Sequence, residues 1–180
     1  MSTPLLRPIG PADLDAVLTL NNEWVPEVSE LDADRLDHIL GQASLALVAV
    51  DPARDPAHDT GADDELLGLV IVIAPGADYD SPNYRFFESG ADGDSVDGAG
   101  FRYVDRIIVA TAAHRRGVGR LLYGAVFDHA AQAGAPRVTC EVNVDPPNPV
   151  SLAFHSSLGF AEVGRQSNYG GEVTVAFMSA

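Results

Sequence analysis

The sequence predicts an α/β protein built on a mixed β-sheet. Two continuous apolar runs, 46–50 and 66–73, have the length and composition of buried strands. In the second half of the chain, patterns typical of strands and helices alternate, as expected where helices pack on a partly parallel sheet. The 180 residues fit a single domain, because neither a repeat nor a clean linker divides them.

The first forty residues predict one strand followed by two helices. Leu5–Ile9 is typical of a short edge strand, since Pro8 has no N–H to donate to a ladder. Pro11 begins a helix in which apolar residues recur three and four positions apart. A second helix is expected over 32–40, and Gly41 is expected to end it.

Two polar segments surround the second apolar run. Residues 51–64 are rich in Asp, Pro, Ala and Gly, which predicts a mobile polar loop between two strands. Residues 75–100 also predict a loop, with an aromatic first half and a Gly- and Asp-rich second half. We expect the aromatic half to serve the function and the other half to be disordered.

The second half has clear signals at the ends of its elements. Val118–Ala133 predicts a helix with one apolar face, which Gly134 ends, and Asn148-Pro149 is typical of the start of another helix. The predicted order is strand 101–109, helix 118–133, strand 138–144, a helix from 149 to 159, and strands 160–164 and 172–177.

Composition and charge exclude several functions. Hydrophobic residues make up 46% of the chain, but the net charge is −15 and every basic residue is arginine. Lysine-based chemistry is therefore excluded, and nucleic-acid phosphates would be repelled. A single Cys140 forms no internal disulfide. Because no secretion signal and no membrane-length apolar run is found, we expect a cytoplasmic protein of bacterial type that binds no membrane.

A glycine-containing turn after the strand 106–109 is the strongest functional signal. The segment 114–120 contains Gly117, Gly119 and three arginines, and it opens a helix. Helix N-termini bind anions, and glycines let a ligand approach the backbone. A Rossmann fingerprint needs a glycine where Leu122 stands, and a P-loop needs a lysine. The turn predicts a phosphate or pyrophosphate site, and the alternative is a glycine-capped helix whose arginines are solvated.

Two motifs resemble those of the GCN5-related N-acetyltransferase (GNAT) superfamily. Its pyrophosphate loop, Gln/Arg-x-x-Gly-x-Gly/Ala after the fourth strand, is similar to His114-x-x-Gly117-x-Gly119, with histidine in the first position. The family also has an asparagine, a small residue three positions on, an aromatic residue seven positions on, and then Gly-Phe. The matching residues here are Asn148, Ser151, His155, Gly159 and Phe160.

The resemblance implies the GNAT fold, with a twisted mixed sheet of six to seven strands flanked by about four helices in one domain, 1–180. It also implies acetyl-CoA as the cosubstrate and no metal. In this family the pantetheine arm lies along the fourth strand and the pyrophosphate lies in the turn. The implied cofactor-binding residues are Ile107, Ile108, Val109, His114, Arg115, Arg116, Gly117, Val118, Gly119, Arg120 and Asn148.

The resemblance also suggests how protons move. The family usually has a tyrosine as general acid where His155 stands, and a protonated imidazole can give a proton to the departing thiolate. The alternative is a packed helix histidine. Candidate bases are Glu141, Asp105 and Glu23, and Glu141 is favoured because burying an unpaired carboxylate is expensive. Cys140 is expected to be a core residue rather than a nucleophile.

Polar residues near the expected acceptor site suit a small amine or an amino-acid-like molecule. The implied acceptor-binding residues are Asn22, Glu23, Tyr84, Arg85 and Asn143. The resulting hypothesis is an N-acetyltransferase that transfers the acetyl group directly within a ternary complex. The rival hypothesis is a non-catalytic acyl-CoA-binding sensor or interaction domain, and a homodimer is left open.

Overall fold

The structure is a computed structural model that describes residues 3–51, 66–91 and 100–180. The strands are β1 (Leu5–Pro8), β2 (Ala43–Val50), β3 (Leu66–Ile73), β4 (Arg102–Val109), β5 (Val138–Asp145), β6 (Ala161–Asn168) and β7 (Val173–Ser179). The α-helices are α1 (Leu14–Asn22), α2 (Ala33–Gln42), α3 (Pro82–Glu88), α4 (Val118–Gln132) and α5 (Pro149–Ser156).

The seven strands form one mixed sheet in the order β1-β2-β3-β4-β5-β7-β6. β1 pairs antiparallel with β2, and β7 pairs antiparallel with both β5 and β6. β4 and β5 are parallel, with Arg102 opposite Val138 and Tyr103 opposite Thr139. The predicted α/β class, its mixed sheet and the edge position of β1 are therefore confirmed.

Internal contacts divide the chain into two compact units. The first comprises Met1–Val72 and Arg106–Val126, and the second comprises Ile73–Asp105 and Phe127–Ala180. In the first unit, a Cβ added to Gly68 would lie 2.6 Å from the carbonyl oxygen of Ile108. The lack of a side chain at that position lets β3 and β4 approach closely. The expectation of one domain stays a prediction.

The core of the second unit is aromatic. Phe87 of α3 is fully buried, and its ring centroid lies 6.0 Å from those of Phe101 and Tyr103 and 5.3 Å from that of Phe177. Tyr84 of α3 packs edge-on against Tyr103 at 5.7 Å. α3 is a short helix, and contacts between large aromatic rings hold it to this unit.

Most elements lie where the sequence predicts them. Asp32 caps α2, accepting a hydrogen bond from the Arg35 N–H at 2.7 Å, and α4 begins at Val118. α5 begins after Asn148 as predicted, but it ends at Ser156 rather than near residue 159. The mobile loop predicted at 51–64 and the disorder predicted before residue 100 fall almost wholly outside the described residues.

Three further predictions about elements are wrong. Gly41 lies inside α2, because the chain turns into β2 only at Ala43, which has the extended backbone. α3 lies within a segment predicted to be a loop, and it begins where Ser81 accepts from the Tyr84 N–H ahead of Pro82. β6 and β7 are longer than predicted because they pair with each other along most of their length. In the described parts of the chain, no helix is long and apolar enough to cross a membrane.

Candidate active site

The turn between β4 and α4 presents open main chain. Gly117 has a φ of +80°, and a Cβ built there would meet nothing within 4 Å. The Leu121 N–H donates to the Gly117 carbonyl, so Gly117 lies directly at the start of α4. The N–H groups of Val118, Gly119 and Arg120 belong to the first helical turn, which has no intrahelical acceptors for them. Such a helix start attracts and hydrogen-bonds an anion.

Side chains of the first unit brace this turn. Nε2 of His114 lies 3.1 Å from the carbonyl oxygen of Val109, and the His114 ring packs 5.6 Å from that of Trp24. Nη2 of Arg116 pairs with the carboxylate of Asp51 at 3.3 Å. These contacts hold the turn to the end of β4, so His114 shapes the loop through its ring as well as through its backbone.

Positive charge surrounds the helix start. Arg115 is exposed and has a φ of +62°, a value that is uncommon outside glycine. Arg120 is exposed on the first turn of α4. In a chain with a net charge of −15, these guanidinium groups give the turn a local positive field. The predicted pyrophosphate residues thus lie together in the first unit, and their binding of CoA stays a prediction.

The β4 residues predicted to contact pantetheine lead directly into this turn. Ile108 is buried, whereas Ile107 and Val109 are half-buried. The Val109 carbonyl already faces the ring of His114. Contacts between this strand and pantetheine stay a prediction.

The second unit contains a buried cluster of acids and phenols. The hydroxyl of Tyr79 donates to Oδ1 of Asp105 at 2.5 Å. Tyr103 is fully buried, and its pKa is raised well above the usual value by burial and then by the nearby carboxylates of Glu141 and Asp105. The structure therefore brings two of the predicted bases to the same phenol.

Glu141 has polar partners that sequence reasoning missed. Nδ2 of Asn83 donates to Oε1 of Glu141 at 2.9 Å, and Nδ2 of Asn168 donates to Oδ1 of Asn83 at 2.8 Å. The helix start at Ser81-Pro82 could have placed Asn83 on a helix. No pattern in the sequence predicts that Asn168 contacts Asn83. The only feature that pointed to Tyr79 was its membership of the aromatic cluster.

His155 is buried at the end of α5. Its Nδ1 donates to the Ser151 carbonyl at 2.8 Å, and its ring lies 5.6 Å from that of Phe154 and 5.4 Å from that of Phe160. Burial lowers the pKa of His155 below its usual value, against the opposing effect of the Ser151 carbonyl. The charged form is thus disfavoured, and the role of His155 as general acid stays a prediction.

Asn148 and Asn143 lie where β5 leads into α5. Oδ1 of Asn148 accepts from the Ser151 N–H at 3.0 Å, so Asn148 is the N-cap of α5. The Asn148 N–H donates to the Asn143 carbonyl at 3.1 Å. The cap occupies the amide oxygen of Asn148, and any contact with pantetheine would use its NH₂ group.

The predicted acceptor residues in the first unit lie at the end of α1. Asn22 clamps the following loop, since Nδ2 donates to the Leu31 carbonyl at 2.8 Å and Oδ1 accepts from the Leu31 N–H at 2.9 Å. Glu23 is exposed at the C-cap of α1. Asn22 therefore has a structural task, and acceptor binding by either residue stays a prediction.

The predicted acceptor residues on α3 are also engaged. Tyr84 is fully buried, and its hydroxyl donates to Glu88 at 2.9 Å and accepts from the Ala77 N–H at 3.0 Å. Burial and this carboxylate raise the pKa of Tyr84 to about 12. Arg85 is exposed and pairs with Glu88 at 2.9 Å. Burial of Tyr84 disfavours direct contact with an acceptor, whereas Arg85 faces solvent.

These features define an α/β protein with open main chain at a helix start in one unit and half-buried carboxylates beside phenols in the other. In residues 3–51, 66–91 and 100–180, no cluster of three or more His, Cys, Asp and Glu side chains could hold a metal ion. The sequence model of the Acetyltransferase (GNAT) family matches residues 22–160. The match covers most of the chain, so the protein belongs to the GNAT family and is an N-acetyltransferase. No curated protein matches its sequence.

Solved structures share the fold. NAA60 of Arabidopsis thaliana in complex with a bisubstrate analogue is 20% identical, with a TM-score of 0.74 over 99% of this chain and 97% of that one. The same protein in complex with acetyl-CoA is 21% identical, with a TM-score of 0.73 over 99% of both chains. A GCN5-related N-acetyltransferase from Kribbella flavida is 24% identical, with a TM-score of 0.66 over 99% and 97%.

Proposed function

We propose that this N-acetyltransferase moves the acetyl group of acetyl-CoA to the amine of a small or amino-acid-like acceptor. Both substrates are bound together, and no acetyl group becomes attached to the enzyme. The observation that carries the proposal is the open main chain at Gly117 ahead of α4, which suits the pyrophosphate of CoA. The acetyl-CoA complex of the similar NAA60 structure supports this donor.

In the proposed complex, the pyrophosphate accepts hydrogen bonds from N–H groups of 117–120 and interacts with the positive end of the α4 dipole. Arg115 and Arg120 add charge, while Arg116 also remains bound to Asp51. The pantetheine arm runs along the backbone of 107–109. The NH₂ group of Asn148 can contribute because the cap of α5 uses its oxygen.

The reaction requires one proton to leave the amine and one to reach the sulfur. The neutral amine nitrogen attacks the thioester carbonyl carbon, the C–S bond breaks, and CoA leaves as a thiolate. A base takes the proton from nitrogen, and an acid gives a proton to the thiolate. Positioning of the two substrates and polarisation of the carbonyl supply most of the rate.

We assign the base to Glu141. Its carboxylate is half-buried on β5 and accepts a directed hydrogen bond from Asn83. Asp105 is the second candidate, and its carboxylate accepts a hydrogen bond from the hydroxyl of Tyr79. Glu23 is exposed at the end of α1, where solvent rather than the enzyme surrounds it.

His155 is the assigned proton donor for the thiolate. Its lowered pKa makes the imidazolium scarce at neutral pH, and the single N–H of the neutral ring already donates to the Ser151 carbonyl, so this role depends on a small charged fraction. Replacing His155 with Phe should lower kcat and leave the affinity for acetyl-CoA nearly unchanged. An unchanged kcat would remove His155 from the reaction.

The charge of the chain favours a cationic acceptor. A net charge of −15 raises the local concentration of ammonium groups, and the carboxylates of the second unit can take their proton. Similar structures hold a bisubstrate analogue, and for Naa50 of Arabidopsis thaliana this analogue is CoA-Ac-MVNAL. Peptide N-termini are therefore included among the acceptors to be tested. A cytoplasmic location and a homodimer remain expectations.

Calorimetric titration and a thiol-release assay test this function. Wild-type protein should bind acetyl-CoA and release free thiol with a subset of free amino acids, small diamines or peptides with free N-termini. Mass spectrometry should show one added acetyl group on the acceptor amine. The absence of acetyl-CoA binding would reject the proposal.

The rival function is an acyl-CoA sensor without turnover. The buried His155, in the position where the resembled family has a tyrosine acid, is the observation that favours it. Binding of acetyl-CoA with no thiol release across the whole acceptor panel would support the sensor. Thiol release that depends on both acceptor and Glu141 would reject it.

A further inference from the structure

A chain of amide hydrogen bonds leads from β6 to the carboxylate of Glu141. Nε2 of Gln166 donates to Oδ1 of Asn168 at 2.7 Å. Nδ2 of Asn168 donates to Oδ1 of Asn83 at 2.8 Å, and Nδ2 of Asn83 donates to Oε1 of Glu141 at 2.9 Å. All four residues belong to the second unit.

The donors in this chain all point towards Glu141. A side-chain amide has an oxygen that accepts and an NH₂ that donates, so the orientation of one amide sets that of the next. Asn168 uses its oxygen for Gln166 and its NH₂ for Asn83, and Asn83 then presents its own NH₂ to Glu141. An ionised carboxylate only accepts, so this arrangement stabilises the charged form of Glu141.

The fold holds both asparagines firmly. Asn168 is 8% exposed at the end of β6. Asn83 lies in the first turn of α3, and the ring of Phe86 on the same helix stacks on Phe177 of β7 at 3.8 Å. Because α3 cannot slide without breaking this stack, Asn83 stays within reach of Glu141.

We propose that Asn83 and Asn168 are positioning residues that hold Glu141 oriented and ionised as the base of the acetyl transfer. This inference rests on the proposed function, which names Glu141 as the base, and adds two residues that act through it. Asn83 acts directly on Glu141. Asn168 acts only through Asn83. It donates to the amide oxygen of Asn83, so the NH₂ group of Asn83 is the group that meets the carboxylate of Glu141.

A buried phenol also lies beside Glu141. The pKa of Tyr103 on β4 is raised by burial, by the nearby carboxylates of Glu141 and Asp105 and by a hydrogen bond with Glu141. Asp105 in turn is bound by the hydroxyl of Tyr79. A phenol that donates to a carboxylate favours its ionised form, so Tyr103 and Asn83 act on Glu141 in the same direction.

Three variants test the chain: Asn83→Leu, Asn168→Leu and the double variant. Removing the donor from Glu141 should move the acidic limb of the kcat/KM profile to higher pH by about one pH unit. Asn168→Leu should move it in the same direction by less. The double variant should match Asn83→Leu, because the described hydrogen bonds lead from Asn168 to Glu141 through Asn83.

A second readout makes the test independent of turnover. Carbon-13 NMR of the labelled glutamate carboxyls should show the same order of shifts in the titration of Glu141, with Glu141→Gln identifying its signal. Ser167→Ala is the matched control, because Ser167 is exposed on the same strand and its hydroxyl contacts Thr174 at 3.0 Å instead of the chain. It should leave both readouts unchanged.

The outcomes separate this inference from the proposed function. The positioning role would be overturned, even if the enzyme is active, by either of two results. One is a titration of Glu141 that stays at the same pH in Asn83→Leu, and the other is a double variant whose shift in pH is the sum of the two single shifts. If wild-type protein never releases thiol, the proposed function fails, but the NMR titration still tests whether the amide hydrogen bonds act on Glu141. If the leucine variants do not fold, Asn83→Asp keeps the size of the side chain and should move the titration of Glu141 to still higher pH. An unchanged titration of Glu141 in that variant would overturn the inference.

Discussion

Phe86 of α3 stacks on Phe177 of β7, with ring centroids 3.8 Å apart and planes inclined by 15°. The ring of Phe86 also lies against Gly164 of β6, where a Cβ would lie 2.8 Å from Cζ of Phe86. The ring therefore occupies the space that a side chain on β6 would fill. This contact fixes the position of α3 and, through it, the position of Asn83 against Glu141.

Gly164→Ala should destabilise the protein by about 1–3 kcal/mol, because the new methyl group must displace the stacked ring. Urea unfolding measures the change in free energy. Gly124→Ala on α4 is the matched control, since a Cβ there would meet nothing within 4 Å and the position is exposed. That control should stabilise the helix by about 0.5–1 kcal/mol. A Gly164→Ala protein as stable as wild type would show that Phe86 moves freely.

Local signals explain why the ends of α4 and the start of α5 were predictable from sequence. Glycines mark both ends of α4, with Gly117 at φ +80° before it and Gly134 at φ +67° after it. Asn148-Pro149 likewise determines where α5 begins. Each of these signals lies within a few residues of the feature that it sets, so the sequence carries it directly.

The surroundings of Glu141 were only partly predictable, because distant contacts build them. Asn83 and Asn168 are 85 residues apart and meet only because α3 packs over β6 and β7. The hydrophobic pattern pointed to Glu141 as a carboxylate needing a partner but could not name that partner. The rings of Phe154 and Phe160 that pack on His155 are near it in sequence, yet helical spacing alone does not show that these contacts form.

Gly117→Asp should abolish acetyl-CoA binding, because it adds a negative charge where the pyrophosphate is expected. Gly117→Asn adds a similar volume and also tolerates the left-handed backbone, so the two variants differ in charge alone. We expect the Asp variant to bind at least about tenfold more weakly than the Asn variant in calorimetry.

Gly76→Asp is the control for the backbone, since Gly76 has a φ of +82° and open space around it. It should leave acetyl-CoA affinity near that of wild type. Equal binding by Gly117→Asp and Gly117→Asn would mean that no phosphate lies at Gly117.

Asn21→Leu should destabilise the first unit by about 2–4 kcal/mol. Arg106 is buried, and its Nη1 donates to Oδ1 of Asn21 at 2.6 Å, so the substitution removes an acceptor from a buried charge. Thr19→Ala on the exposed side of the same helix is the control and should change stability by less than about 0.5 kcal/mol. Equal unfolding midpoints for the two variants would contradict the importance of this hydrogen bond.

His155 should make stability depend on pH just below neutrality. Because its pKa is lowered by burial, the unfolded chain binds the proton more readily than the folded protein. The contribution of the neutral ring is therefore present above about pH 6.5 and is lost as the pH falls. His155→Phe should flatten the decline in unfolding free energy between about pH 7 and about pH 5.5. A smaller decline should remain, since burial and Arg102 also lower the pKa of His129. An equally steep slope in His155→Phe would show that His155 takes up its proton without unfolding the protein.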